Sequence, residues 1–286
     1  MLHVTNGDCA VAVLSRAVQG TFLPWDDVLH EGPVFAGLPL ATLSRRRARF
    51  IASTGWASFA AAEKRFEERD AALEGAHLHD EVVLWFEHDL YDQLQLIQLL
   101  DWFSAHPHPR LSLVCEAEYI GTMTPGRAAE LFSNRKEISS LQFQEACTAW
   151  AAFGGTDPFR ITPVSRALPF LGAALYRLLE EFPWTTDGLS RLERQVLEAL
   201  AAGPLPFAEL FPRAHQHRED PVYLGDAVLL WHLGRMASEG LVEKSGETWA
   251  TTGNRRRFRT PRCIGGYEIR DERVCWDPAS AQLVRR

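Results

Sequence analysis

The chain has 286 residues, of which 46% are hydrophobic and 23% are charged, and its formal net charge is -7. This composition excludes a disordered chain, and the acidic balance argues against a protein whose whole surface is built to bind nucleic acid. The length predicts more than one domain.

Neither a membrane segment nor a secretory signal is evident in the sequence. No stretch reaches the roughly 20 apolar residues that a membrane helix needs, and the N-terminus lacks the basic and apolar regions of a signal peptide. The five cysteines are scattered without a C-x-x-C pair, which argues against a disulfide framework and against a cysteine zinc site. We therefore expect a cytoplasmic protein with reduced thiols.

The first part of the chain alternates short apolar runs with helical patterns. Strands are predicted at residues 2–5, 21–25, 82–86 and 111–115, and helices at residues 8–18, 40–52, 56–73 and 90–103. Thr124 before Pro125 predicts the start of a further helix. Strands separated by helices imply parallel pairing, so the expected fold class is α/β with a parallel-sheet, Rossmann-like N-terminal domain.

The second half of the chain is mostly helical in pattern. Helices are predicted at residues 141–153, 168–182, 191–201, 207–211 and 220–239, and Ser190 with Glu193 has the spacing of a capping box. Two short strands at residues 240–244 and 248–251 follow, which is the element order of a winged helix. We expect a terminal hairpin from residues 266–269 and 274–276. The expected domains are 1–135 (α/β), 136–185 (helical connector) and 186–286 (winged-helix-like with a β tail).

An acid, a histidine and a second acid follow the most apolar strand. Residues 82–86 have the composition of a strand buried on both faces, and Glu87, His88 and Asp89 come directly after it. Open α/β sheets bind their ligands at such strand ends. Charge beside a core needs partners because its burial is costly. Alternatively, Asp89 caps the next helix and Asp92 is an acid that matches the helix dipole.

Asn6, Gly7 and Asp8 follow the first strand. The glycine permits a tight turn, and free amides at the start of the next helix can hold an anion. Asp8 repels an anion unless a metal or a proton intervenes, which favours it as a cap, a metal ligand or a partner for a hydroxyl or amine. The same three residues are also typical of an ordinary turn with an N-cap.

His-Glu-Gly-Pro at residues 30–33 follows the second strand and Asp27. The Gly-Pro turn can hold His30 and Glu31 in fixed directions. A histidine beside a carboxylate is a workable acid/base pair, and imidazole with carboxylates also suits Zn²⁺, Mn²⁺ or Fe²⁺. The alternative is a solvated loop with a capped turn.

Two further patterns limit the function. The sequence has no G-x-S-x-G elbow, no Walker A loop and no G-x-G-x-x-G fingerprint. One basic run, residues 254–262, follows the predicted wing and can contact phosphates through Arg255, Arg256 and Arg257. The same run can instead pair with the acidic N-terminal domain. Arg235 is the one Lys or Arg residue of the helix predicted at 220–239, which makes a poor recognition helix.

Together the three motifs resemble the bacterial family known as domain of unknown function 1835. Its members carry H-x-T-N-G-D, then W-x-D-x-L-H-E-G-P, then F-E-H-D-L-x-x-Q, and this chain has these motifs at residues 3–8, 25–33 and 86–93. The resemblance covers about residues 1–120. It implies one composite site built from three strand ends, and it implies no particular reaction.

We expect an enzyme that acts by hydrolysis or group transfer on a small phosphorylated or nucleotide-like substrate. The expected catalytic residues are His30, His88, Glu31 and Asp89. The expected substrate-binding residues are His3, Asn6, Gly7, Asp8, Asp27, Glu87, Tyr91 and Gln93. A divalent metal is the candidate cofactor, with Asp8, Asp89 and His88 as ligands, because it offsets the repulsion among the carboxylates.

Two other functions fit the same sequence. The chain can be a regulator that senses a metabolite and binds DNA or a protein through its winged-helix-like domain. Alternatively, that domain serves packing and oligomerisation. The expected partners are thus a small-molecule ligand and, through the C-terminal domain, nucleic acid; no membrane partner is expected, and the oligomeric state is open.

Overall fold

The computed structural model describes residues 1–254 and 259–286. The described chain divides into two compact units, Met1–Leu175 with Gly265–Tyr267, and Tyr176–Ile264 with Glu268–Arg286. Residues 136–175, expected in a helical connector, belong to the first unit. The basic residues Arg255, Arg256 and Arg257 lie outside the described residues.

Strands and helices alternate in the first unit. Its strands are β1 (Leu2–Thr5), β2 (Thr21–Pro24), β3 (Gly32–Pro33), β4 (Val82–Glu87), β5 (Leu111–Glu116) and β6 (Lys136–Glu137). Its helices are α1 (Asp8–Leu14), α2 (Leu40–Thr54), α3 (Phe59–Glu74), α4 (Leu90–Ala105), α5 (Pro125–Ser133) and α6 (Ser140–Phe153). The boundary between the two units falls inside α7 (Leu171–Leu179).

The main sheet has the strand order β2-β1-β4-β5-β6. β1 pairs in parallel with β2 and β4, and β4 pairs in parallel with β5, whereas β6 is antiparallel to β5. In this register Thr5 lies beside Trp85, and Glu87 lies beside Glu116. The expected α/β class is confirmed, with an antiparallel edge strand that the sequence pattern did not predict.

The strand order reverses between β1 and β4. From β1 the chain moves to β2 on one side, and after α2 and α3 it returns to β4 on the other side of β1. Connections that leave a pair of strands in opposite directions open a crevice at the carboxyl ends of those strands, which is where open α/β sheets bind ligands. The fold therefore directs attention to the residues just after β1 and β4.

Side-chain caps determine where several helices begin. Asp89 Oδ1 accepts a hydrogen bond from the Asp92 amide at the start of α4, over 3.0 Å. Thr124 caps α5, as predicted. Ser139 and Gln142 form a capping box at the start of α6. Such caps satisfy amides that have no partner inside the helix.

The core of the first unit lies against the main sheet. β4 is buried along its whole length, and the Trp85 ring stacks on Phe132. One face of the sheet contributes to a cluster that includes Ala10, Leu14, Val83, Trp85, Val114, Ile120, Ala128 and Leu131. α4 contacts both β4 and α6. This packing explains why α6 belongs to the first unit rather than to a connector.

The second unit contains short strands between helices. Its helices are α8 (Arg191–Ala199), α9 (Phe207–Phe211) and α10 (Asp226–Ser238), and its strands are β7 (Leu205–Pro206), β8 (Val242–Ser245), β9 (Thr248–Thr251), β12 (Val274–Asp277) and β13 (Gln282–Arg285). The residues of β10 (Arg262–Gly265) and β11 (Tyr267–Ile269) are divided between the two units, because Gly265 and Tyr267 belong to the first. β7, β9 and β8 form an antiparallel sheet in that order. The predicted capping box of Ser190 and Glu193 is confirmed at α8.

The predicted pairing of the terminal hairpin is wrong. β12 pairs with β13, not with the segment that precedes it. Asp277 closes the turn between them, because its carboxylate accepts from the Ala279 amide and from Ser280 Oγ. Among the described residues, no helix has both the length and the apolar composition to cross a membrane. The five cysteines are free thiols.

A short distal segment completes the first unit. Within that unit, the Val34 amide donates to Gly265 O over 3.0 Å, and the Gly266 amide donates to Phe153 O over 2.9 Å. The loop after β2 is thus held by residues from near the end of the chain.

Candidate functional site

Three carboxylates meet at the carboxyl end of β4. Glu87 is the last residue of β4, Asp89 caps α4, and Asp92 lies in the first turn of α4. Each offers one oxygen atom, and these atoms lie within 4.8 Å of one another. The three residues are 4%, 3% and 0% exposed, respectively. We call this group the acidic cluster; it lies at the point where the strand order reverses.

Hydrogen bonds fix the geometry of the acidic cluster. Asp92 accepts from the Glu87 amide over 2.7 Å and from Asn6 Nδ2 over 2.9 Å, which joins the residue after β1 to α4. Glu87 Oε1 accepts from the Ile120 amide over 2.7 Å. Gln93 Nε2 donates to the carbonyl oxygen of Glu87 over 2.6 Å. Residues after β1, β4 and β5 therefore hold the cluster together.

No cationic side chain among residues 1–254 and 259–286 neutralises the acidic cluster. Burial, hydrogen bonds and the other cluster carboxylates act on its three members, and no Lys, Arg or His does. Other buried carboxylates of the first unit differ, since Asp27 pairs with Arg47 and Glu81 pairs with Arg135. Buried carboxylates without a cation are costly as anions, so the cluster needs a proton or a bound cation.

Burial raises the pKa of all three carboxyl groups. The pKa of Asp89 rises to about 7, because burial penalises its charge and Glu87 repels it. The pKa of Asp92 lies well above its ordinary value through burial and repulsion by Asp89. The pKa of Glu87 is also raised by burial, against the opposing effect of the Ile120 amide. Carboxyl groups with raised pKa values can exchange protons near neutral pH.

Gln93 adds a buried oxygen atom beside the cluster. Its side chain is 0% exposed and its Nε2 bonds Glu87 O, whereas its Oε1 has no hydrogen-bond donor among the described residues. An unsatisfied buried amide oxygen is unfavourable. A cation, or a ligand that donates a hydrogen bond, would satisfy this atom.

His88 lies among aromatic rings at the same strand end. Its ring centroid is 5.3 Å from that of Tyr119 and 5.8 Å from that of Phe170. The backbone places His88 directly between Glu87 and Asp89. The two rings restrict its rotation, so a half-buried imidazole is held at the same strand end as the cluster.

His30 connects to the cluster through an aromatic residue. It is 5% exposed, and its ring meets Tyr91 edge-on with centroids 6.1 Å apart. The Tyr91 hydroxyl donates to the carbonyl oxygen of Asn6 over 3.2 Å. Burial raises the pKa of Tyr91, so its hydroxyl remains a neutral donor. The predicted residues His30, Asn6 and Tyr91 thus form one continuous set of contacts that reaches Asp92.

The structure places His3 in the core rather than at the cluster. The residue is 0% exposed; its Nε2 is 3.2 Å from Gln19 O, and its Nδ1 accepts from Trp85 Nε1 over 3.1 Å. The ring stacks on Phe22, and burial lowers its pKa. Both ring nitrogens are occupied by core partners, so the predicted role of His3 in substrate binding is not supported by its position.

Asp8 also lies apart from the acidic cluster. Its side chain is 79% exposed and lies 3.6 Å from the Arg65 guanidinium, which also pairs with Asp26. The residue follows β1 as predicted, but α1 carries its side chain into solvent. The metal set of Asp8, Asp89 and His88 stays a prediction; the carboxylates whose oxygen atoms lie within 4.8 Å of Asp89 are those of Glu87 and Asp92.

Asp27 and Glu31 surround a buried arginine. Arg47 is 0% exposed and donates to both carboxylate oxygens of Asp27, with Nε–Oδ1 at 3.0 Å and Nη2–Oδ1 at 2.8 Å. It also donates to the carbonyl oxygens of Glu31 and Val28, over 2.7 Å and 2.8 Å. The Asp27 carboxylate thus anchors the loop that carries His30, and its predicted role in substrate binding stays a prediction.

The structure also bears on the predictions for Gly7 and Asp92. Gly7 has φ 166, an extended conformation, and a Cβ there would have nothing within 4 Å, so the turn does not require glycine. Asp92 was expected as an acid that matches the helix dipole, and the structure adds it to the cluster. Its signal was its spacing, since Asp92 follows Asp89 by one helical turn and lies on the side that faces Glu87.

A scan of the sequence against protein-family models finds no match, and a search of curated proteins finds none either. The resemblance to domain of unknown function 1835 stays a prediction that rests on three motifs. The structure shows that two of these motifs meet, because Asn6 of the first motif donates a hydrogen bond to Asp92 of the third.

Proposed function

We propose that the first unit, as a Rossmann-like domain, is a metal-assisted enzyme that hydrolyses or transfers a group on a small phosphorylated or nucleotide-like substrate. One observation carries this proposal. Glu87, Asp89 and Asp92 are buried, their oxygen atoms lie within 4.8 Å, and none has a cationic partner among the described residues. A divalent cation would remove the repulsion that this arrangement creates.

The donor atoms fit a hard cation. Carboxylate and amide oxygens are preferred by Mg²⁺, Mn²⁺ and Ca²⁺, whereas structural zinc sites use thiolate and imidazole. Gln93 Oε1 offers one more oxygen without a donor among the described residues. We therefore propose Glu87, Asp89 and Asp92 as ligands, with Gln93 at their side.

Chemistry at this site would divide between the cation and the protein. A bound divalent cation lowers the pKa of a coordinated water and offsets charge on a phosphoryl oxygen. Asn6 and the Glu87 amide hold Asp92 in place. His88, held by Tyr119 and Phe170, is positioned to accept or donate the proton of the reacting group.

Metal binding tests the first part of this proposal. We expect Glu87→Gln and Asp89→Asn to weaken Mn²⁺ binding by roughly tenfold or more, because the charge of the ligand set falls. Asparagine is also a good N-cap, so Asp89→Asn should keep α4 intact. Glu118→Gln is the matched control, since Glu118 is exposed on the loop after β5 and pairs with Arg127. Equal Mn²⁺ affinity in all three variants, measured by calorimetry, would contradict the proposal.

Turnover tests the second part. Native protein with Mg²⁺ or Mn²⁺ should convert a member of a panel of phosphoesters and nucleotides. His88→Ala should abolish this activity while the melting temperature stays close to that of the native protein. If His88→Ala and His30→Ala both retain full turnover, the assignment of the composite site is wrong.

A regulator is the second candidate function. The second unit has the order helix, strand, two helices and hairpin, with β7 paired to the hairpin strand β9, which supports a winged-helix-like fold. Its longest helix, α10, offers little to DNA, because Arg235 donates to Thr260 O. A regulator should bind DNA in a salt-sensitive way, and replacing Arg255, Arg256 and Arg257 by Ala should remove that binding.

A further inference from the structure

A cavity of about 380 Å³ opens at the carboxyl end of β5. Its lining combines the end of β5 with the start of β6 and the loop that precedes α7, and the polar members are Cys115, Glu116, Asn134, Arg135, Lys136, Gln142 and Arg166. Pockets for small ligands have volumes of roughly 300–1,000 Å³. The cavity is therefore the size of a small-metabolite site.

Among the residues that the structure describes, two of the three cations in this cavity have no carboxylate partner. Arg135 is used by Glu81, with Nε–Oε1 at 2.7 Å. In the described part of the chain, Lys136 and Arg166 have no carboxylate oxygen within 4.0 Å. One carboxylate, Glu116, shares the lining. The chain as a whole is acidic, with 37 acidic and 30 basic residues. Two cations without a carboxylate partner around one cavity therefore give this region a local excess of positive charge.

The backbone around these two cations is held in place. The Glu145 carboxylate accepts from the Arg166 amide over 3.0 Å and from the Ala167 amide over 3.0 Å, which fixes the loop that carries Arg166. Lys136 lies in β6, paired with Leu113 of β5. Both side chains are exposed, and the backbone segments that carry them are fixed. A fixed backbone lowers the entropy that is lost when the two side chains close on an anion.

Direct contacts connect the cavity to the acidic cluster. Cys115 lines the cavity and lies 3.5 Å, Sγ to Nε2, from Gln93, whose Nε2 also bonds Glu87 O. On the other side, Pro169 lines the cavity and is followed by Phe170, whose ring packs against His88. The cavity thus lies beside the proposed metal ligands and the proposed acid/base residue.

We propose that this cavity binds a phosphoryl group of the substrate and so places the reacting part of that molecule at the acidic cluster. Its role as a substrate site rests on the proposed function. A guanidinium donates two parallel hydrogen bonds to phosphate oxygens, and an ammonium adds a compact charge. Lys136 and Arg166 supply two positive charges against the one negative charge of Glu116, so the lining keeps a net positive charge that attracts a phosphoryl group.

Binding of inorganic phosphate, measured by calorimetry in the presence of a chelator, tests this inference on the full chain without metal or turnover. We expect Lys136→Ala and Arg166→Ala each to weaken binding by about tenfold, as expected for hydrogen bonds to a charged group. Lys136→Arg should stay within about threefold of the native affinity, because the charge is kept. Arg49→Ala removes an equally exposed charge from α2 and should leave binding unchanged.

Three results would overturn the inference: no phosphate binding by the native chain, native affinity in the Lys136→Ala/Arg166→Ala double variant, or tighter binding of acetate than of phosphate. Circular dichroism checks that each variant is folded. The test also separates this inference from the proposed function. Glu87→Gln should not weaken phosphate binding, whereas it should weaken Mn²⁺ binding. If the native chain binds Mn²⁺ and shows turnover but does not bind phosphate, the cavity proposal alone is rejected. If it binds phosphate but shows neither Mn²⁺ binding nor turnover, the metal-enzyme proposal alone is rejected.

Discussion

Glycines in two of the motifs have different structural roles. Gly32, between Glu31 and Pro33, has φ +75, and a Cβ there would lie 2.5 Å from the Phe50 ring. Gly7 has neither restriction, so the tight turn that the sequence suggested there does not depend on glycine. Gly32 therefore permits the loop that carries His30 to pack directly against α2.

We predict that Gly32→Ala destabilises the protein by about 3 kcal/mol, from a left-handed conformation and a steric conflict with Phe50. Gly37→Ala is a matched control, because Gly37 has φ +78 and nothing within 4 Å of a Cβ. It should cost about 1 kcal/mol, from the backbone conformation alone. Urea unfolding measures both values. Equal losses in the two variants would show that the contact with Phe50 has no energetic role.

Individual site residues were predictable where the chain itself determines their position. Glu87 and Asp89 follow an apolar strand directly, so their place at a strand end follows from the sequence. The position of the His3 side chain could not be predicted in this way. A residue within a short strand can point to either face of the sheet, and its partner Trp85 is distant in sequence. Asp27 was similarly ambiguous, since its partner Arg47 lies on another element.

Regular elements with a clear period were predicted well, and short ones were missed. β1 and α9 have the expected bounds, and β4 and α4 differ from expectation only at their ends. The two-residue strands β3, β6 and β7 carry no periodic signal, because alternation needs at least four residues to be seen. The hydrophobic pattern also did not predict the order of the strands in the sheet, because that order depends on contacts between distant segments.

The start of β4 depends on one buried carboxylate. Glu81 accepts from Ser112 Oγ at the start of β5, over 2.8 Å, and from Arg135 just before β6, over 2.7 Å. Its carbonyl oxygen accepts from the Leu2 amide at β1. Hydrogen bonds from Arg135 and Ser112 hold the pKa of Glu81 at about 2, against the effect of burial. Through its side chain and its backbone, Glu81 thus joins the starts of β1, β5 and β6.

We predict a pH-dependent contribution of Glu81 to the free energy of unfolding. Its folded pKa of about 2 is below the ordinary value of 4.5, so the stabilisation is complete above pH 4.5 and is lost as the pH falls from 4.5 towards 2. The full shift corresponds to roughly 3 kcal/mol, and we expect about 2 kcal/mol because solvent reaches the arginine partners. In Glu81→Gln, the free energy of unfolding should depend less on pH between pH 2 and pH 4.5. Glu63→Gln, which breaks a more exposed pair with Arg45, should not change the curve.

At the scale of the whole molecule, the division of the chain departs from the expected three segments. α6 belongs with the sheet because it contacts α4, a packing that no local pattern announces. The segment Gly265–Tyr267 returns to the first unit after most of the second. Composition and turn residues can predict where a linker lies in the sequence. They cannot predict that residues 265–267 pack with the first unit.

Truncated chains can test this return. We predict that a chain of residues 1–175 loses protection at the Val34 amide, whose acceptor is Gly265 O, while the Ala36 amide keeps Gly154 O as its acceptor. A chain that ends at Ile269 retains Gly265 and should protect Val34. Hydrogen exchange followed by NMR compares the two amides. Equal protection of Val34 in both chains would show that the distal segment is dispensable.

The return of Gly265–Tyr267 also affects how the protein is made. A ribosome releases the chain from its N-terminus, so β1 to β6 emerge long before the segment that bonds Val34 and Phe153. Domains usually fold as they emerge, and contacts between distant residues form late. The loop that carries His30 should therefore reach its final form only after residues 265–267 have been made, so a shorter nascent chain would not carry the finished site.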